Sequence, residues 1–283
     1  MLLLALAAIS ATSAAAASEL EKQCEPLLAA GKFAEAQDIA QKAIAADPKD
    51  AEAQYYLGVV LIEQDNYADA TPQFEKAVAL APNISKYHRG LGDAHGLAAL
   101  HAGLFHKLGL AKKSKAAYEK AVELDPASVN ARASLINYLW QAPAIAGGGK
   151  DKAFAQIDEL EKINPPAGRA QRLAYCIKDK NYAAARALLA SELAANPDNY
   201  LALYQTGQIA ALSGENPDAG AAALQRCLAL APPNDAPGHA NAHYQLGLIA
   251  ERKGDKPAAR ASYQAALTLA PDFKEAKTAL EKL

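Results

Sequence analysis

Small residues, aromatic rings and prolines recur along this chain at one fixed spacing. Residues 53–61 read Ala-Gln-Tyr-Tyr-Leu-Gly-Val-Val-Leu and are followed by Ala70, Phe74, Ala77 and Pro82. Residues 242–250 read Ala-His-Tyr-Gln-Leu-Gly-Leu-Ile-Ala and are followed by Ala259, Tyr263, Ala266 and Pro271. In both copies the small residue follows Gly58 or Gly247 by 12 positions, the ring by 16, the second small residue by 19 and the proline by 24. Two antiparallel helices explain the pattern. Gly on the first and Ala on the second remove bulk where the axes approach, the ring fills the gap between turns, and Pro ends the second helix. Self-similarity at a period of about 20–50 residues marks a solenoid, whose default function is binding.

Seven units follow from extending this register, over about 18–50, 51–84, 85–128, 129–167, 168–199, 200–238 and 239–272, with a capping helix at 273–283. Pro48 closes the first unit, 34 residues before Pro82. Its first helix is irregular, since Pro26 interrupts it and Cys24 stands where Gly is expected. The third unit carries Leu91-Gly92, then Ser114, Tyr118, Ala121 and Pro126, but Gly92 to Ser114 is 22 positions instead of 12. The fourth closes at Pro165 with extra residues around 141–149, and the fifth, closing at Pro197, has a degenerate first helix near 169–178. In the sixth, Asn216-Pro217 is a helix-start signal. No run of alternating β-branched residues suggests a sheet, so the whole chain reads as helical.

With Leu57-Gly58, Leu61, Ala70, Phe74, Ala77 and Pro82 in place, the chain resembles the tetratricopeptide repeat family. The resemblance implies an all-α, right-handed α-solenoid of antiparallel helix pairs in which first helices line a concave groove, with the residue three before the small position pointing into it. That residue is Tyr55, Tyr204 and Tyr244. Tyrosine suits a binding groove, having a large apolar face, a hydroxyl and little rotamer entropy to lose. The alternative is that these rings pack against the next repeat. Tyr56, Arg89, Arg132, Gln205, Gln208 and Gln245 lie nearby on the same helices and complete the candidate groove. Relatives that grip the carboxylate tail of chaperones use Lys and Asn four apart on the first helix, with basic residues on the third. Glu21, Glu25 and Tyr56 occupy the corresponding places here, Lys86 fits in part, and the acids would repel a carboxylate.

Composition narrows the function further. The apolar fraction is 51%, with one Trp and one Met, and much of it is Ala, as close helix packing requires. A net charge of −2 gives no pull toward nucleic acid or anionic membrane. Leu2–Ile9 is too short to span a bilayer and precedes a run of small residues at 14–18, which predicts a signal peptide over 1–17, cut after Ala17, and a periplasmic or secreted protein. No Lys or Arg precedes the apolar stretch. Cys24, Cys176 and Cys227 form no CxxC pair; a Cys176–Cys227 bridge is one possibility, small buried thiols the better one.

Other motifs point less far. His239 and His243 share a helix face without a third ligand, and His88, His95, His101 and His106 crowd the third unit. Gly147-Gly148-Gly149-Lys150 lacks the spacing and the strand of a phosphate loop and reads as an interhelical turn. No catalytic triad has a spacing argument. The insert between Gly92 and Ser114 is basic through Lys112, Lys113 and Lys115, among others, and is a candidate partner contact. The expected function is therefore a non-catalytic adaptor in the cell envelope with a protein or peptide partner and no cofactor. A metal-binding protein using the third-unit histidines and a self-associating scaffold are the alternatives.

Overall fold

The computed structural model describes residues 18–234 and 236–283; the leader expected over 1–17 lies outside them. Among the described residues there are fifteen α-helices and one 3-10 turn, and no strand. They fall into two compact units, Met1–Asn164 and Pro165–Leu283. The first contains the pairs α1 (Glu19–Ala29) and α2 (Phe33–Ala46), α3 (Ala51–Glu63) and α4 (Tyr67–Leu80), α5 (Ser85–His101) and α6 (Leu104–Leu124), and α7 (Val129–Gln141) and α8 (Lys150–Ile163). The second contains α9 (Pro165–Lys178) and α10 (Tyr182–Ala195), α11 (Tyr200–Ser213) and α12 (Pro217–Leu228), α13 (His239–Arg252) and α14 (Lys256–Leu269), and the final α15 (Lys274–Glu281). Each unit is thus a stack of short-looped antiparallel helix pairs, the α-solenoid class. No helix among the described residues is long and apolar enough to cross a membrane.

Local chemistry sets the punctuation. Six of the second helices end on the residue before a proline: Asp47, Ala81, Asp125, Asn164, Asn196 and Ala270, each with φ between −136° and −139°. The proline ring forces its predecessor out of the helical region, so the chain leaves the helix at the same place each time. First helices then restart on side-chain caps, with Asp50, Ser128 and Asn199 accepting backbone N–H groups of the opening turn. Within five pairs the hairpin turn passes through the left-handed region, at Gly31, Asp65, Lys180 and Gly254 and, in the turn before α12, at both Gly214 and Asn216. Asp65 and Lys180 adopt it despite their Cβ atoms, at a local cost.

The close approach inside each pair is read directly from the glycines. A Cβ added at Gly58 would stand 2.9 Å from the Phe74 ring, at Gly92 2.6 Å from Tyr118, at Gly247 2.3 Å from Tyr263, and at Gly207 2.2 Å from Leu224. Phe74 also meets α5 of the next pair, where a Cβ on Gly90 would be 2.4 Å away. One ring therefore fixes two helix contacts. In the first pair the volumes are exchanged: Cys24 replaces the glycine and Ala40 replaces the ring, and both are fully buried.

Three irregularities resolve simply. Pro26 does not break α1, which continues to Ala29 although Pro26 has no N–H to give. The extra residues of the third pair lengthen both arms, to 17 residues in α5 and 21 in α6 against 13 in α3 and 14 in α4. The His101 ring at the end of α5 stacks on Tyr67 at 5.1 Å, and the Ser114 hydroxyl donates to the Gly92 carbonyl at 2.8 Å. The segment 142–149 is an ordered turn built on the 3-10 residues Ala144–Ala146, with Gly147 at φ 87° and Gly149 at φ 151°. Tyr138 donates to the Ala146 carbonyl and Lys152 to that of Gly147.

Gly207 and Gly109 should respond to alanine in opposite directions. Gly207→Ala drives a methyl into buried Leu224 and is expected to lose about 1–3 kcal/mol. Gly109, exposed within α6 with nothing within 4 Å of its added Cβ, should gain up to about 1 kcal/mol from helix propensity. Urea unfolding of both variants checks the pair of signs.

Candidate functional site

In the first unit the first helices α1, α3, α5 and α7 touch one another in series. Because their pairs repeat every 34 residues over the first three units, positions one period apart stand side by side. Tyr55 and Arg89 are such a pair, the guanidinium Nη2 donating to the Tyr55 hydroxyl at 3.3 Å. Glu52 and Lys86 are another, with Nζ 2.9 Å from the carboxylate. Glu21, one period before Tyr55, comes within 3.4 Å of the same ammonium.

Lys86 is the centre of this face. Its ammonium lies over the rings of Tyr55, Tyr56 and Tyr87 at 5.5, 5.6 and 5.9 Å from their centroids, each a favourable cation–π geometry. Burial works to lower its pKa, but the hydrogen bond and charge of Glu52, with the charge of Glu21, outweigh it and raise it. Burial likewise raises the Tyr55 hydroxyl against the opposing pull of Arg89 and Lys86, and pushes Tyr87 up to about 12. All three tyrosines are therefore neutral at ordinary pH.

Behind Arg89 runs a half-buried polar chain. Arg89 pairs with Asp93 at 3.2 Å, and the Tyr118 hydroxyl donates to the other Asp93 oxygen at 2.7 Å. Burial raises the Asp93 carboxyl, and Arg89 and Tyr118 counteract it. In front of Arg89 opens a cavity of about 220 Å³ lined by Glu21, Glu25, Tyr55, Ser85, Lys86, Arg89, Asp125, Ser128 and Asn130. Its walls come from α1, α3, α5 and the start of α7.

The candidate residues therefore divide. Tyr55 and Arg89 meet at the cavity, and Tyr56 lies under it, 1% exposed, its hydroxyl donating to Glu25 at 3.2 Å. The Tyr55 ring packs edge-on against Phe74 at 5.8 Å and tilts against Tyr87 at 5.2 Å; only its polar edge is offered. Arg132 is 6% exposed and committed to Gln156 and the Pro126 carbonyl, so it braces α7. In the second unit Tyr204 is buried beside Gln245, with which it shares a hydrogen bond, while Gln205 and Gln208 are half-buried. Tyr244 packs on Tyr263 and Phe273 at 5.8 and 5.1 Å and lines a second cavity of about 410 Å³ with Leu248, Glu251, Lys274 and Glu275. Of the insert lysines, Lys112 and Lys113 are exposed. Lys115 pairs with Glu119 and lays its stem against Gly147, which ties α6 to the 142–149 turn.

The histidines do not gather. His88 bonds the Pro82 carbonyl, His101 stacks on Tyr67, and His95 is buried, its pKa lowered by burial and by Lys113. No group of three His, Cys, Asp or Glu side chains among the described residues is placed to hold a metal ion. Cys24, Cys176 and Cys227 are buried free thiols, so the possible Cys176–Cys227 bridge is not formed.

The Arg89–Asp93 pair should be thermodynamically coupled. Arg89→Met leaves Asp93 with Tyr118 alone and is expected to cost about 1–3 kcal/mol, part of which Asp93→Asn recovers in the double variant. A double-mutant cycle by urea unfolding measures the coupling; strict additivity would refute it.

Comparison with known proteins agrees with this architecture. Tetratricopeptide repeat sequence models match residues 27–85, 178–235 and 215–272, and a second such model matches 99–128. The Hsp70-Hsp90 organizing protein of Triticum aestivum is 33% identical over 162 residues, which is 54% of this chain and 26% of that protein; the chain thus spans about a quarter of that relative's length. A tetratricopeptide repeat protein from Parabacteroides merdae superposes with a TM-score of 0.57 at 14% identity, covering 93% of this chain and 96% of that one. The C-terminal part of a TPR repeat-containing protein from Cytophaga hutchinsonii gives 0.55 at 17% identity, covering 92% and 98%. With its glycine, ring and proline register matched over more than half its length and its helix pairs stacked accordingly, this chain belongs to the tetratricopeptide repeat family.

Proposed function

We propose that this chain is a non-catalytic adaptor of the cell envelope that holds an extended segment of a partner protein along its first-helix face. Tetratricopeptide repeat proteins mediate protein–protein interactions, and the wheat relative is by name an organiser of two chaperones. The observation that carries the reading is the cavity at α1, α3, α5 and α7. Side chains from four consecutive first helices, or the turns that lead into them, converge on it with hydroxyl, amide, ammonium and carboxylate groups. Those are the groups that read a peptide, and they stand on helices packed against one another.

The exposed Lys112 and Lys113 on the lengthened α6 supply a second contact for the same partner. Residues 1–17 act in this reading as a cleaved export signal, supported by an apolar stretch followed by small residues. Within the second unit, half-buried Gln205 and Gln208 and the cavity edge at Tyr244 offer polar groups of the same kind, over a core in which Tyr204 and Gln245 are paired.

One experiment tests groove and location together. The full-length chain carrying a photo-crosslinker in place of Asn130, expressed in a bacterial host, is fractionated and irradiated, with the label moved to exposed Lys42 as the control. The expected outcome is a mature chain beginning at Ser18 in the periplasmic fraction, with discrete protein adducts from position 130 and none from 42. An unprocessed cytoplasmic chain removes the export part, and identical adducts from both positions remove the groove part.

A further inference from the structure

Resting on the groove reading, we infer that the cavity between α1, α3, α5 and α7 is a specificity pocket for one basic side chain, Lys or Arg, of the bound segment. Size comes first. At about 220 Å³ the cavity falls below the ~300–1,000 Å³ of small-molecule sites, and it suits a single long side chain entering from an extended peptide. Its lining is mostly polar and includes Tyr55 and Asn130.

Charge decides the identity of that side chain. Both cations of the cavity are already engaged. Lys86 is held by Glu52 and Glu21 and lies over three tyrosine rings, and Arg89 is held by Asp93 and the Tyr55 hydroxyl. Glu25 accepts one bond, from Tyr56, and Asp125 accepts one from the Ala127 backbone, leaving a carboxylate oxygen of each open to a ligand. Glu21, Glu25 and Asp125 line the cavity beside Lys86 and Arg89, and Glu52 and Asp93 hold those cations from outside the lining, five negative groups against two positive.

An ammonium or guanidinium entering here finds Glu25, Asp125 and the amide of Asn130 in one lining. An acidic side chain would have to draw Lys86 or Arg89 away from its present partners and strand those carboxylates half-buried, a repulsive element that discriminates as strongly as the attractive one. The aromatic shelf keeps Lys86 where it is, so the preference is built into the folded chain before any partner arrives.

Panning a random-peptide display library on the purified chain tests this. The expected result is enrichment of segments carrying Lys or Arg at one fixed position. The double variant Glu25→Gln with Asp125→Asn, close to isosteric, should reduce that enrichment at least roughly tenfold, through the loss of both charge-assisted contacts. Asn130→Asp adds a carboxylate in the first turn of α7 and should sharpen the preference, a gain that no unfolded variant can imitate. Circular dichroism establishes that all three chains are equally helical. Enrichment of segments with neutral or acidic residues at the fixed position, or a basic preference unchanged in the double variant, overturns the pocket assignment and leaves the groove reading standing. No enrichment of any segment overturns both.

Discussion

The contact between a glycine on one helix and a bulky side chain on its partner governs the geometry of this protein. Gly58 under Phe74, Gly92 under Tyr118 and Gly247 under Tyr263 each leave less room than one methyl group needs, so the axes of each pair sit as close as the backbones allow. Phe74 reaches across to Gly90 as well, and the spacing within one pair thereby sets the spacing to the next. Packing of this kind tolerates little change in volume. Where the glycine is absent, as at Cys24, the opposing residue shrinks to Ala40, which makes room for the thiol side chain.

Recognition is a consequence of that spacing. First helices one period apart in the first unit lie close enough for Tyr55 to meet Arg89 and for Glu52 to meet Lys86. The backbone core is apolar and repetitive, whereas the face presented by the first helices varies from repeat to repeat. Lys86, gathered by two carboxylates and three rings, converts what would be a row of separate side chains into one preorganised surface. Beyond the stability they add, these half-buried ion pairs fix which charges remain open.

Much of the fold was legible because its rules are local and repeat. The glycine-to-ring interval, the proline that ends each second helix and the small residue at Ala70 or Ala259 each follow from sterics. Pro26 misleads because a helix whose apolar face is buried against neighbours survives one missing hydrogen bond. The insert after Gly92 reads as ten extra residues but carries no mark saying whether they form a loop or lengthen two helices; the structure has the second, with His101 stacked on Tyr67 at the end of α5. The site was less legible. Glu52 with Lys86 could have been paired from the 34-residue interval alone, as Tyr55 with Arg89 could. Asp125 and Asn130 could not, since the insert breaks the register before them. Lys115 looked like its neighbours Lys112 and Lys113, yet its stem is committed to the Gly147 turn, a contact between segments about 30 residues apart that no spacing rule supplies.

The glycine contact can be tested by restoring the space it depends on. Gly58→Ala is introduced into the natural chain and into a Phe74→Leu background, and the unfolding free energies are compared as a cycle. If the pair is set by this contact, the alanine is markedly less costly beside leucine than beside phenylalanine, because the smaller side chain yields to the new methyl group. An equal loss in both backgrounds would contradict the claim that the Gly58–Phe74 contact fixes the distance between these helices.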